Sequence, residues 1–144
     1  MTSSAARASA LVAVLRAAVE GDLETVAGLC ADDVRVWSPA RAASSRQELL
    51  DTLGDRDQEL AYSDVEIVPL DVRGPYACAE WSVTLTRRAP AGEGPAARSD
   101  AGVSLHGATV AEFRDGEICA LRLYWDEATV LERLGAGRGS GTRP

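Results

Sequence analysis

The chain has 144 residues, 46% of them hydrophobic and 26% charged, ordinary proportions for one globular core of the roughly 100–200 residues that a domain usually takes. Its formal charge of −7 and pI near 4.7 oppose binding to nucleic acid or to an anionic membrane surface, both of which attract clustered Lys and Arg. Arg16 interrupts the apolar stretch from Ala8 to Val19, and no run reaches the ~20 residues of a membrane helix, so neither a span nor a signal peptide is expected.

In chain order, Leu11, Val14, Leu15, Ala18 and Val19 recur at helical spacing and predict a first helix closed by Gly21. Asp22 then caps a second helix with Leu23, Val26 and Cys30 inward, so the two form a helical hairpin. The alternation of Val34, Arg35, Val36 and Trp37 predicts a short strand ended by Pro39, with Asp32 and Asp33 as a solvated turn before it. Ser45-Arg46-Gln47-Glu48 has the Ser-x-x-Glu form of a capping box, and Leu49, Leu50 and Leu53 follow it in a third helix stopped at Gly54 or by the charged run beyond.

From there the period changes to two. Strands are expected over Tyr62–Val72, Tyr76–Arg87, Val103–Arg114 and Glu117–Trp125. Arg73-Gly74-Pro75 and Asp115-Gly116 mark tight turns, the second a two-residue hairpin signal, so these strands run antiparallel. Arg88 to Gly102 has Ala/Gly/Pro/Ser composition without apolar period and is expected to be a long mobile loop. Asp126 caps a last helix bearing Val130, Leu131 and Leu134, with Gly135 placed to stop it. The expected organisation is one domain over residues 1–135 and a flexible tail over 136–144.

Cys30, Cys78 and Cys119 lie far apart without a Cys-x-x-Cys spacing, which suits free thiols in a cytoplasmic, reducing setting. With His106 as the one histidine, no metal site is expected, and no cofactor. There is no phosphate-binding glycine fingerprint and no Gly-x-Ser-x-Gly elbow.

The order of two helices, short strand, helix and long meander resembles the nuclear transport factor 2-like fold, which includes ketosteroid isomerases and SnoaL-like polyketide cyclases. The carriers are Gly21-Asp22-Leu23-Glu24, Ala31-Asp32-Asp33-Val34 leading to Ser38-Pro39, Phe113-Arg114-Asp115-Gly116-Glu117-Ile118 and Tyr124-Trp125-Asp126-Glu127. The resemblance implies an α+β fold, a cone-shaped barrel whose strongly curved, mostly antiparallel sheet wraps the N-terminal helices around an apolar cavity, with acid–base chemistry on hydrophobic substrates. The positions matching the isomerases' catalytic groups hold Ser38 before the proline, Val14 on the first helix and Thr109 on the third long strand. The cyclases' aspartate on the last strand is matched by Leu123.

Strand parity sorts the remaining candidates. Ala79, Trp81, Val83 and Leu85 share one face, as do Cys119, Leu121, Leu123 and Trp125, and these apolar sets are expected to be concave together with Leu105, Gly107, Thr109 and Ala111. By this parity Trp81, Val83, Leu121, Leu123 and Trp125 are ligand-lining candidates, and Val14, Trp37 and Tyr62 are added to them as further candidates, the bland alternative being that the large apolar side chains simply fill the core. Ser38, Thr109 and Asp126 are the candidate catalytic groups, Asp126 being readable also as a plain helix cap.

The opposite register would gather Glu80, Ser82, Thr84, His106, Glu112, Arg122 and Tyr124 in the pocket while exposing two tryptophans. In the favoured register that polar face meets solvent or a second copy of the chain, Tyr and Arg being favoured contact residues. The expected function is an enzyme cyclising, isomerising or hydrating a hydrophobic polyketide-, terpenoid- or steroid-like molecule. The alternative is a non-catalytic binding or dimerisation module.

Overall fold

A computed structural model describes residues 3–88 and 102–139, with the side chains of the last helix described to residue 133. Ser3 opens α1 (Ser4–Glu20) by accepting the Ala6 N–H, and Gly21 ends it at φ 77°, a left-handed value that a side chain would oppose. Asp22 caps α2 (Leu23–Leu29) through the Thr25 N–H and hydroxyl. The helices are followed by β1 (Cys30–Trp37), β2 (Ala42–Ala43), α3 (Arg46–Glu59), β3 (Leu60–Leu70), β4 (Tyr76–Arg87), β5 (Val103–Arg114), β6 (Glu117–Trp125) and α4 (Glu127–Gly139).

One six-stranded sheet has the order β2-β1-β6-β5-β4-β3. All its pairings are antiparallel except β1 against β6, which is parallel. The sheet curves without closing, so the cone is open between its edges, β2 and β3. Pro69 falls on edge strand β3, where a missing N–H interrupts no inner ladder. Asp115 and Gly116 both take positive φ, 54° and 80°, in the turn that joins β5 to β6.

The core lies between the concave sheet face and the helices, with Leu11, Val14 and Ala17 of α1, Val26 of α2, Leu49 and Leu53 of α3 and Ala77, Ala79, Ala111 and Leu121 of the sheet buried together. Burial raises the Cys30 thiol to about 11, so it stays protonated and behaves as a small apolar side chain. All three cysteines are free thiols. Among the described residues no helix is long and apolar enough to cross a membrane.

Several expectations are corrected. Cys30 starts β1 instead of ending α2, and Asp32 and Asp33 lie within that strand rather than in a turn. Both are held on its exposed side by long-range ion pairs, Asp32 with Arg46 and Asp33 with Arg114. The third helix passes Gly54, the first of its two expected stops, and ends with the charged run at Glu59, and the last passes Gly135 and runs to Gly139. A single glycine costs a helix only about 1 kcal/mol, which packing elsewhere along α3 offsets.

On β6 the expected parity breaks at its start. A bulge opposite Glu112 and Phe113 makes Ile118 face the core, fully buried, and leaves Cys119 on the other side, half-buried. The expected loop over Arg88 to Gly102 falls mostly on residues 89–101, and the end of the expected tail on residues 140–144; both stretches lie outside the described residues.

Candidate functional site

The helices do not fill the concave face. A cavity of about 300 Å³ remains, walled by Val14, Leu15 and Ala18 of α1, by Tyr62, Val65 and Ile67 of β3, by Trp81, Val83 and Leu85 of β4, and by Leu121, Leu123 and Trp125 of β6. One stripe of α3 completes it, Leu49, Thr52, Leu53, Arg56 and Glu59, while Ser38 and Arg41 of the β1–β2 loop and Glu127 and Val130 of α4 stand at its opening.

The two tryptophans are fixed by their polar edges. Trp81 Nε1 donates to Thr109 Oγ1 at 2.9 Å, and Thr109 is wholly buried beneath it. The ring lies across Gly107, where a Cβ would stand 2.5 Å from Trp81 Cη2 and from the Tyr124 carbonyl oxygen, so only glycine leaves room for it. Trp125 meets Trp81 edge-on, with centroids 6.1 Å apart and planes 63° apart, a favourable quadrupole arrangement. Trp125 Nε1 in turn donates to Glu127 Oε1 at 2.8 Å.

Tyr62 supplies the wall on β3. The Arg56 guanidinium lies over its ring, 4.5 Å from the centroid. Burial pushes the Tyr62 hydroxyl up to about 12, more than nearby Arg56 lowers it, so it stays protonated and able to donate a hydrogen bond. Arg56 is itself engaged, donating to the Ala18 carbonyl and pairing with Asp57 at 3.1 Å.

The candidates thus separate. Val14, Tyr62, Trp81, Val83, Leu121, Leu123 and Trp125 line the cavity, but Trp37 does not: it is 48% exposed on the convex face and packs on Tyr124 at 5.4 Å. Ser38 lies at the opening with its hydroxyl committed to closing a loop, accepting the Arg41 N–H and donating to the Arg41 carbonyl, each at 3.0 Å. Thr109 lies behind Trp81 rather than in the lining.

Asp126 is outside the lining and caps α4, accepting the Thr129 hydroxyl at 2.7 Å and N–H at 3.3 Å. The Thr129 hydroxyl is the main reason its carboxyl lies below the ordinary range. Glu80, His106 and Tyr124 are exposed on the convex face, where Arg122 and Glu112 sit 3.6 Å apart. The apolar register is therefore the concave one, as parity required, and of the polar constellation Glu80, His106, Arg122 and Tyr124 face outward, whereas Ser82 touches the cavity lining.

Arg41, Arg56, Glu59 and Glu127 were missed. A signal existed for three of them: Arg56 and Glu59 continue the α3 stripe at helical spacing once the helix is extended past Gly54, and Glu127 lies three residues before Val130, on one face of α4. Among the described residues no three His, Cys, Asp or Glu side chains gather into a set that could hold a metal.

This open cone, with a parallel β1–β6 pair and a mostly apolar cavity between sheet and helices, is the nuclear transport factor 2-like fold. The sequence matches the SnoaL-like domain over residues 11–121, and the chain belongs to that family.

Similar solved structures include a proposed polyketide cyclase from Xanthomonas campestris (TM-score 0.75, 18% identity, covering 91% of this chain and 98% of that one). An LEH-like epoxide hydrolase from M. tuberculosis is similar too (TM-score 0.70, 20% identity, 92% and 95% covered), as is a proposed isomerase from Bacillus subtilis (TM-score 0.75, 16% identity, 94% and 96% covered). At these identities the likeness is one of fold. No curated protein matches the chain by sequence.

Proposed function

We propose that this chain is an enzyme of small-molecule, secondary metabolism that takes one compact hydrophobic molecule, of polyketide, terpenoid or steroid character, into its cavity and cyclises, isomerises or hydrates it in the cytoplasm. The observation that carries this reading is the cavity itself: about 300 Å³ of mostly apolar space under two immobilised tryptophans, with a few polar groups, Tyr62 and Arg56 among them, in its lining. Such a volume lies at the small end of ligand pockets, and mostly apolar walls with a few placed polar groups are their usual make-up. Neighbours of the same fold described as an epoxide hydrolase, a proposed cyclase and a proposed isomerase support a small-molecule enzyme.

A second reading has its own support. Thr109, one of the positions where the resembling families carry catalytic groups, has its hydroxyl tied to Trp81, and Val14 and Leu123 are apolar. A non-catalytic ligand-binding module would look the same. Incubation with panels of small enones, epoxides and linear polyketide mimics, followed by chromatography and NMR, separates the two: new products support the enzyme, whereas saturable binding with every compound recovered unchanged supports the module.

A second copy of the chain is the proposed partner on the convex face. Exposed Trp37 and Tyr124 form an aromatic patch there, and Arg122 beside Glu112, with Glu80 on the same face, gives both charge signs that a twofold interface can pair. Light scattering of the parent should report twice the chain mass, and Trp37→Ala with Tyr124→Ala should give the monomer; a monomeric parent at micromolar concentration would end this part of the proposal.

A further inference from the structure

Glu127 is a carboxylate held at the cavity by the cavity's own wall. It lies half-buried in the first turn of α4 and lines the opening together with Val130. Its Oε1 accepts the Trp125 indole N–H at 2.8 Å, Trp125 stands edge-on to Trp81, and Trp81 is bound to buried Thr109 over the Gly107 notch. Each link removes rotameric freedom from the next, so the carboxylate is placed before any ligand arrives.

A carboxylate has about four acceptor positions, of which the indole takes one. Among the described residues no other donor reaches Glu127. An ionised carboxylate only accepts, so the group that completes it must donate.

The other charged side chains that line the cavity are less suited to reading a ligand. Arg56 is committed to Asp57, to the Ala18 carbonyl and to the Tyr62 ring. Arg41 and Glu59 are exposed, so solvent screens them and ordering them against a ligand would cost side-chain entropy.

We propose that Glu127 sets the ligand class of the cavity: a compact hydrophobic molecule carrying a hydrogen-bond donor, a hydroxyl or an ammonium, at the end that lies against α4. The inference rests on the cavity being a ligand site. It places the recognising carboxylate on α4, whereas the resembling families' catalytic positions fall on Ser38, Thr109 and Leu123.

The test is calorimetric titration with three probes that share one apolar body: 2-naphthol, 2-naphthylmethylammonium and 2-naphthoate. The expected result is that the first two bind at least tenfold more tightly than the third, and that Glu127→Gln cuts the ammonium's advantage at least fivefold while weakening naphthol less, since the amide oxygen still accepts. Glu24→Gln removes the same charge from the exposed side of α2, outside the cavity lining and away from the convex face, and should leave the parent's order intact. Trp125→Phe, which frees the carboxylate but keeps a ring, should also flatten the preference, and it serves should Glu127→Gln fail to fold.

Tighter binding of naphthol than of the ammonium identifies a neutral donor as the ligand group and the reverse identifies a cation; either supports the proposal. Naphthoate binding as well as the others, or an unchanged order in Glu127→Gln, overturns it while leaving the cavity reading intact. Failure of all three probes to bind at millimolar concentration overturns both.

Discussion

The concave and convex faces of this sheet are built from the same strands, residue by alternate residue, yet they carry opposite chemistry. The concave face holds Ala79, Trp81, Val83, Leu85, Leu105 and Leu121, with its indole N–H groups satisfied by Thr109 and Glu127. The convex face holds Glu80, His106, Glu112, Arg122 and Tyr124, which on composition alone look more like an acid–base site. Density of titratable side chains is therefore a poor guide to the pocket here. Burial decides, because turning the sheet over would expose about 25 cal/mol for every Å² of that apolar wall.

The sharpest way to test this division is at the bulge that opens β6. Ile118→Ala should lower stability by about 2–5 kcal/mol, the usual range for emptying a buried aliphatic site, whereas Cys119→Ala should stay within about 0.5 kcal/mol. Urea denaturation of the pair decides it, and equal costs would mean that the bulge does not set the inward residue.

Effects one step smaller are expected where Trp81 is pinned. Gly107→Ala should cost about 1–3 kcal/mol, because the new methyl group meets the Tyr124 backbone, which cannot swing away. Thr109→Val keeps the shape but leaves the Trp81 indole N–H without its acceptor, at a cost of about 1–3 kcal/mol and with a shift of tryptophan emission. An unchanged midpoint in Thr109→Val would show that the indole finds another partner.

On the convex side, Arg122→Ala should change stability by no more than about 1 kcal/mol, since its pair with Glu112 is solvent-exposed, and added salt should narrow the difference from the parent. A larger, salt-independent loss measured on the dissociated monomer would mean that this face carries core-like energy.

The smallest effect is expected at Asp126. Its folded carboxyl lies below the ordinary value of 3.8, so the stability that it contributes is present above that value and is lost as pH falls through the lower folded value. Asp126→Asn should thus melt within a few degrees of the parent at neutral pH, because Asn caps nearly as well, and should lose less than the parent on acidification below 3.8. A large loss of turnover at unchanged melting temperature would instead move Asp126 from helix cap to reaction.

Much of the fold was legible because periodicity is a local property. The stripe of Leu11, Val14 and Leu15, the capping box at Ser45 and the Asp115-Gly116 turn each state their structure within a few residues. Gly54 and Gly135 misled for the same reason: as local signals they end helices, but packing of Leu49 and Leu53 carries α3 onward to Glu59.

The site was legible only in part. Strand parity placed Trp81, Val83, Leu121, Leu123 and Trp125 in the cavity wall, but it cannot be carried across an irregular loop, and Trp37, just before Pro39, turned out on the other face. Nor does parity reach into a helix, so of the neighbours Asp126 and Glu127 the sequence singled out the cap and overlooked the side chain at the opening.

The sequence by itself determined which side of each long strand is apolar, where most helices begin, and the family to which the chain belongs. The tertiary structure alone decided the parallel pairing of β1 with β6, the bulge that exchanges Ile118 for Cys119, the notch at Gly107 that receives Trp81, and the meeting of Arg56 with Tyr62 and of Trp125 with Glu127. The physical reason is range. Patterning and caps act over one or two turns of chain, whereas a cavity exists only where surfaces far apart in sequence fail to fill the space between them.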